Sequence, residues 1–168
     1  MVYLPEDIHK ICLQSVPIVS VDIVILDVAK EKILLFKRKN NPLKGIFYTI
    51  GGRVLKNESL IDTARRKLKD EAGIEASNNE LSFAGFMEEF YEKSVYKDVD
   101  THNVNIFFGY IALPKLDIKT DSQHDKFKWF DVNSRNLHPH VLYKLDLIYN
   151  CDNRFARFAK KLESNGKN

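Results

Sequence analysis

The feature that most restricts what this chain can fold into is one block. It runs Gly51-Gly-Arg-Val-Leu-Lys-Asn-Glu58, then seven residues, then Arg66-Lys-Leu-Lys-Asp-Glu-Ala-Gly73-Ile74. It reads as a strand, a glycine-permitted loop and a helix. A short strand over Ile46–Ile50 runs into the glycine pair. The helix is expected over Glu58–Ala72, where Leu60, Ile61, Ala64 and Leu68 recur at helical spacing and Gly73 supplies the stop. Gly51 and Gly52 let backbone carbonyls come close to a ligand. Positions 67, 70 and 71 share one helix face, so Asp70 and Glu71 offer hard oxygen ligands to Mg²⁺. Glu58 and Arg66 stand about two helical turns apart and are placed to pair, fixing the loop between them.

Around this block the pattern is mixed. Pro5–Ser15 reads as a short helix with Ile8, Ile11 and Cys12 on one side. Strands are expected over Ile18–Val28, Lys32–Arg38, Leu81–Tyr91, Val104–Leu113 and around Phe127 and Trp129. The Val28-Ala-Lys-Glu31 link predicts a hairpin, and Asn40–Gly45 is loop by composition. A polar connection, Glu92–His102, joins the two later strands. Leu142–Ile148 and Arg154–Leu162 have helical patterns, and residues 163–168 form a polar tail expected to fray. His138-Pro-His140 reads as loop, because Pro139 disfavours a helix and the spacing is not that of a helical metal pair.

The 168 residues fit one domain, large enough to fold without disulfides or structural metal. Cys12 and Cys151 form no CxxC pair, which points to a reducing, cytoplasmic setting. Glu6, Asp7 and Lys10 precede any long apolar run, so no signal peptide is expected, and no apolar stretch has membrane-spanning length. The net charge of +3 arises after residue 143, where six basic side chains face three acidic ones. No aromatic interleaving accompanies them, so they read as a solvated helix face rather than a nucleic-acid patch.

The block resembles the Nudix box, Gly-x5-Glu-x7-Arg-Glu-U-x-Glu-Glu-x-Gly-U, with U a bulky aliphatic residue. Gly52, Glu58, Arg66, Leu68, Glu71, Gly73 and Ile74 match. The resemblance implies an α/β fold, a Nudix-type α/β/α sandwich around a mixed β-sheet. It also implies a hydrolase of nucleoside diphosphates linked to another group, acting with a divalent cation. Two positions depart. Asp70 keeps the charge of a box glutamate on a shorter arm, whereas Lys67 replaces a glutamate outright. A lysine at about 5 Å from a dication, at an effective dielectric of about 20, meets roughly 6–7 kcal/mol of repulsion. Lys67 is therefore expected to point away, or the site to hold fewer metals.

A narrower resemblance, to the GDP-mannose mannosyl hydrolases, runs from about Tyr3 to Phe130. It is carried by Pro5-Glu-Asp7, Pro17-Ile-Val-Ser-Val-Asp22, Leu35-Phe-Lys-Arg38, Gly51-Gly-Arg-Val54, Phe90-Tyr91, Thr101-His102 and Gln123-His-Asp125. That branch implies attack of water on the anomeric carbon rather than on phosphorus. His124 would be the base, a task an imidazole suits because it titrates near neutrality. One Mg²⁺, or Mn²⁺, would be held by Gln123, Glu71 and the Gly51 carbonyl. Arg38 and Arg53 would stabilise the departing diphosphate, since a guanidinium matches phosphate oxygens in bidentate fashion. Asp22 is either a ligand hydrogen bonder or a residue at a sheet edge. Tyr91 is either a substrate contact or core packing with its hydroxyl at the rim. Arg66 reads as a structural partner of Glu58. Glu89 and Asn103 stand where the branch has His and Tyr, near the sugar or diphosphate. The resemblance further suggests a homodimer with the N-terminal segment close to the partner's site. An ordinary Nudix pyrophosphatase and a non-catalytic nucleotide-sugar binding module are the competing expectations.

Overall fold

The computed structural model describes residues 4–114, 118 and 124–150. Its centre is β1 (Ile18–Asp27), a ten-residue strand whose side chains are buried almost throughout. A hairpin turn with Lys30 in the left-handed region (φ 57°) leads into β2 (Lys32–Arg38), as expected. β1 and β2 pair only at Ile25–Leu34 and Leu26–Ile33, and then diverge. The fork between them is filled by β3 (Phe47–Tyr48) on β2 and β4 (Ile50–Arg53) on β1. The single strand expected over 46–50 is thus two, broken at Thr49, where pairing passes from one partner to the other. β5 (Leu81–Tyr91) and β6 (Thr101–Ala112) form an antiparallel pair, and β6 runs parallel to β1 from Ile18–Asn103 to Asp27–Ala112. β6 starts three residues before the expected Val104. β7 (His124–Asp131) adds to β2. The seven-stranded sheet is mixed.

Alternation along β1 decides what covers each face. Val21, Ile23 and Ile25 pack with Ala64, Leu68 and Ala72 of α2 (Leu60–Ala72). Val24 and Leu26 pack with Val141, Leu145 and Ile148 of α3, a helix over 139–150. The result is the expected α/β/α sandwich, with α1 (Glu6–Ser15) beside it and burying no residue. Among the described residues no helix is long and apolar enough to cross a membrane.

Two helix boundaries correct the sequence reading. α2 begins at Leu60, not Glu58, because the Ser59 hydroxyl accepts from the Asp62 N–H (3.2 Å) and caps the helix. It ends on Gly73, whose left-handed φ of 70° lets its N–H reach Lys69 O while Ile74 N reaches Leu68 O. His138-Pro-His140 is not loop. Pro139 is the first residue of α3, where a missing N–H costs nothing, and His138 Nδ1 accepts from His140 N (3.2 Å). The Arg154–Leu162 helix and the 163–168 tail lie outside the described residues.

Candidate functional site

The β4–α2 connection is built by an ion pair. Arg66 Nε and Nη2 donate to the two Glu58 oxygens at 2.6 and 2.8 Å, and Nη2 also reaches the Arg53 carbonyl (3.2 Å). Glu58 accepts as well from Thr63 Oγ1 (2.7 Å) and Leu55 N (3.2 Å). The Glu58–Arg66 pairing expected from the spacing is present, and it anchors the end of β4. These donors, Arg66 foremost, hold the Glu58 carboxyl at about 2, below its ordinary 4.5. A lowered carboxyl stabilises the fold fully above its unfolded value and loses that contribution as pH falls toward the folded one. The stability gap between wild type and Arg66→Met, measured by urea denaturation, should therefore be constant from pH 7 to about 5 and narrow as pH falls toward about 2.

Across the sheet, β4, β1, β6 and β5 present one face to a cleft of about 290 Å³. Paired residues share a face, and Ser20 pairs with both Arg53 and Asn105. Asn103 pairs with Glu89. Arg38, Arg53, Asp22, Tyr91, Glu89 and Asn103, all singled out in the sequence, line this cleft. Arg38 Nε is tied to the Pro42 carbonyl (2.8 Å), which brings the 40–45 loop to the rim. The backbone of His124 pairs with Arg38 at the end of β7. Gln123 and the His124 side chain lie outside the described residues.

Asp22 is not at a sheet edge. It sits in the central strand, 6% exposed, at the head of a buried network that the sequence reading missed. Lys144 of α3 is fully buried and donates to Asp22 Oδ2, Tyr48 Oη (3.1 Å) and Thr49 Oγ1 (3.3 Å), with Glu89 Oε1 at 3.4 Å. Thr49 Oγ1 also donates to Asp22 Oδ2 (2.8 Å), and Tyr48 donates to Glu89 Oε1 (2.6 Å). His140 Nδ1 meets the Tyr91 hydroxyl at 3.2 Å and Glu89 Oε1 at 3.5 Å. Burial opposes ionisation of Glu89, but His140, Lys144 and Tyr48 outweigh it and hold the carboxyl at about 2. Burial, reinforced by Asp22 and Glu89, pushes the Tyr48 hydroxyl far up, so it stays a donor. One lysine thus serves two carboxyl groups beneath the cleft. The signal for Lys144 was present: it lies on the Val141, Leu145, Ile148 face of its helix, a cation inside an apolar stripe.

Three polar atoms in the cleft wall are buried without a hydrogen-bond partner among the described residues: Ser20 Oγ, Asn105 Oδ1 and Arg53 Nη1. Asn105 is 2% exposed and its amide nitrogen is turned to Glu89 (3.4 Å), which leaves the carbonyl oxygen facing the cavity. Buried polar groups are nearly always satisfied, so a row of orphans on three adjacent strands is the mark of a site that takes a polar ligand.

The box carboxylates diverge. Asp70 is exposed and lies 4.0 Å from Arg66, while Glu71 is 1% exposed and turned to the sheet. Successive helical residues point about 100° apart, so the two do not act together. Lys67 does not point away. Its ammonium is 2.6 Å from Glu71 Oε1, and Glu71 Oε2 accepts from Gly51 N (3.2 Å). Gly51 is demanded by this packing, and Gly52 leaves room for a flexible side chain. A Cβ at Gly51 would collide with Asp22 and the Val21 carbonyl, and one at Gly52 with the Lys67 stem. Among the described residues no group of three His, Cys, Asp or Glu side chains converges on a metal position. Glu71 thus has Lys67 on one oxygen and the Gly51 N–H on the other, and a divalent ion approaching Oε1 would have to displace the Lys67 ammonium.

Comparison with known proteins agrees with this architecture. Residues 16–150 match the model of the NUDIX domain. The chain is 32% identical over 145 residues to the low-salt glycan biosynthesis protein Agl8 of Haloferax volcanii, covering 86% of this chain and 90% of that protein. It is 43% identical over 69 residues to an ADP-ribose pyrophosphatase of Methanocaldococcus jannaschii, covering 41% of this chain and 40% of that one. Among solved structures, a MutT NUDIX hydrolase of Burkholderia pseudomallei superposes with a TM-score of 0.65 at 20% identity, over 80% of this chain and 99% of that one.

Proposed function

The chain belongs to the NUDIX family, whose hydrolases generally use a divalent metal, and from that premise we propose that it hydrolyses GDP-mannose, or a close nucleotide sugar, to the nucleoside diphosphate and free hexose. The observation that carries the proposal is the row of unsatisfied polar atoms at Arg53, Ser20 and Asn105, a guanidinium beside hydroxyl and carbonyl groups. It suits a diphosphate joined to a ring rich in hydroxyls. The glycan-biosynthesis role in the name of the Haloferax relative points the same way.

In this reading water attacks the anomeric carbon. A new C–O bond forms as the bond from that carbon to the diphosphate oxygen breaks, and His124 takes the proton of the attacking water. Arg38 and Arg53 receive the charge that develops on the leaving diphosphate. When bound, a Mg²⁺ or Mn²⁺ ion held by Glu71, the Gly51 carbonyl and Gln123 supplies Lewis-acid stabilisation of the same charge. We further take the assembly to be a homodimer, because α1 exposes Ile8 and Ile11 and has no fully buried residue in its own subunit.

Hydrolysis in ¹⁸O-labelled water against a panel of nucleotide sugars tests the bond cut. GDP with labelled hexose is expected. GMP with sugar phosphate would mean attack on phosphorus, the reading favoured by the 69-residue match to an ADP-ribose pyrophosphatase. Arg53→Ala should weaken GDP binding roughly 10- to 150-fold by calorimetry, the worth of about 1.5–3 kcal/mol for a hydrogen bond to a charged group. Unchanged affinity would remove Arg53 from the site.

A further inference from the structure

We propose that the Lys67 ammonium is a tethered cation that occupies the divalent-ion position on Glu71, so that the chain binds divalent ions weakly and gains a tight site when Lys67 is removed or displaced.

Three observations converge. Glu71 is buried at 1% exposure, and a buried carboxylate demands a counter-charge. The counter-charge is Lys67 Nζ, 2.6 Å from Oε1 and one helical turn before it on the same face. The Lys67 stem is held there by a fitted surface, since its carbons fill the space where a Gly52 side chain would stand. The lysine side chain is only 13% exposed and reaches the cleft that Arg38 and Arg53 also line. A divalent ion bringing its charge to Glu71 therefore meets a resident cation on the same oxygen. It binds only to the fraction of molecules in which Lys67 has withdrawn, and its apparent affinity falls by that fraction. The fold gains a corresponding independence, because Glu71 is neutralised whether or not an ion is present. The withdrawn ammonium has somewhere to go, since the cleft it lines is where an anionic ligand would accept it. None of this depends on which bond of a nucleotide sugar is cut, so the proposal stands or falls apart from the proposed reaction.

The test is direct Mn²⁺ binding to the full-length protein, without substrate, read from the electron paramagnetic resonance signal of free Mn²⁺ and by calorimetry. Lys67→Met is expected to bind one Mn²⁺ at least about tenfold more tightly than wild type. Gly52→Ala keeps every charge but pushes the Lys67 stem aside, and should tighten binding in the same direction. Its backbone is not in the left-handed region, so alanine is tolerated there. Lys67→Gln serves if the methionine variant does not fold, as judged by its thermal transition. Adding Glu71→Gln to Lys67→Met should abolish the gained site. Equal Mn²⁺ affinity in wild type and the Lys67 variants overturns the proposal. So does absence of Mn²⁺ binding in all of them, or survival of the tight site without Glu71.

Discussion

Lys144→Met is expected to destabilise the fold by about 3–5 kcal/mol, the usual consequence of removing one partner from a buried ion pair. The lysine is fully buried, and it is the ammonium set among Asp22, Glu89, Tyr48 and Thr49. Methionine fills similar volume but leaves two carboxylates facing low-dielectric surroundings. Urea denaturation should show a lowered midpoint with an unchanged m-value. Adding Asp22→Asn to Lys144→Met should recover part of the loss. A midpoint within experimental error of wild type would mean that the two carboxylates find another cation or reach water.

The largest catalytic effect is expected at His124. If it is the base of the proposed reaction, His124→Gln should lower kcat by about 10²- to 10⁴-fold, the range for a positioned proton acceptor, while KM moves little. The acidic limb of the pH–rate profile should disappear in the variant. Higher pH should partly restore its rate, because hydroxide replaces activated water. The backbone of His124, the first residue of β7, pairs with that of Arg38, a cleft arginine at the end of β2. Wild-type turnover in His124→Gln, with the acidic limb intact, would move the base elsewhere. His140, hydrogen-bonded to Tyr91 at the cleft wall, is then the next imidazole to vary.

The sequence by itself determined the strand–loop–helix block and the roles within it that depend on local spacing. The Glu58–Arg66 pair was legible from the spacing of the block, although Glu58 stands just ahead of the helix rather than on it, and the Gly73 stop follows from the left-handed residue a helix end requires. The hairpin at Lys30 and the stripe of Ile61, Ala64 and Leu68 were legible for the same reason, that helix and strand periods are short-range, whereas Leu60 of the same expected stripe is exposed. Even the misread Pro139 was a local question, decided by whether a helix begins at it or crosses it. What only the tertiary structure decided was every contact made across strands or layers. Asp22 became a buried central residue because parallel pairing with β6 closes its other side. Lys67 turned onto Glu71 because Gly52, on a different element, leaves room for its stem. Ser20, Arg53 and Asn105 lie 33 and 52 residues apart along the chain, yet they stand in one row because β1 pairs with β4 on one side and β6 on the other. Lys144 reaches Asp22 over 122 residues. Periodicity reports which face a residue takes on its own element, but a site assembled from four strands and two helices is set by register and packing, which no local window contains.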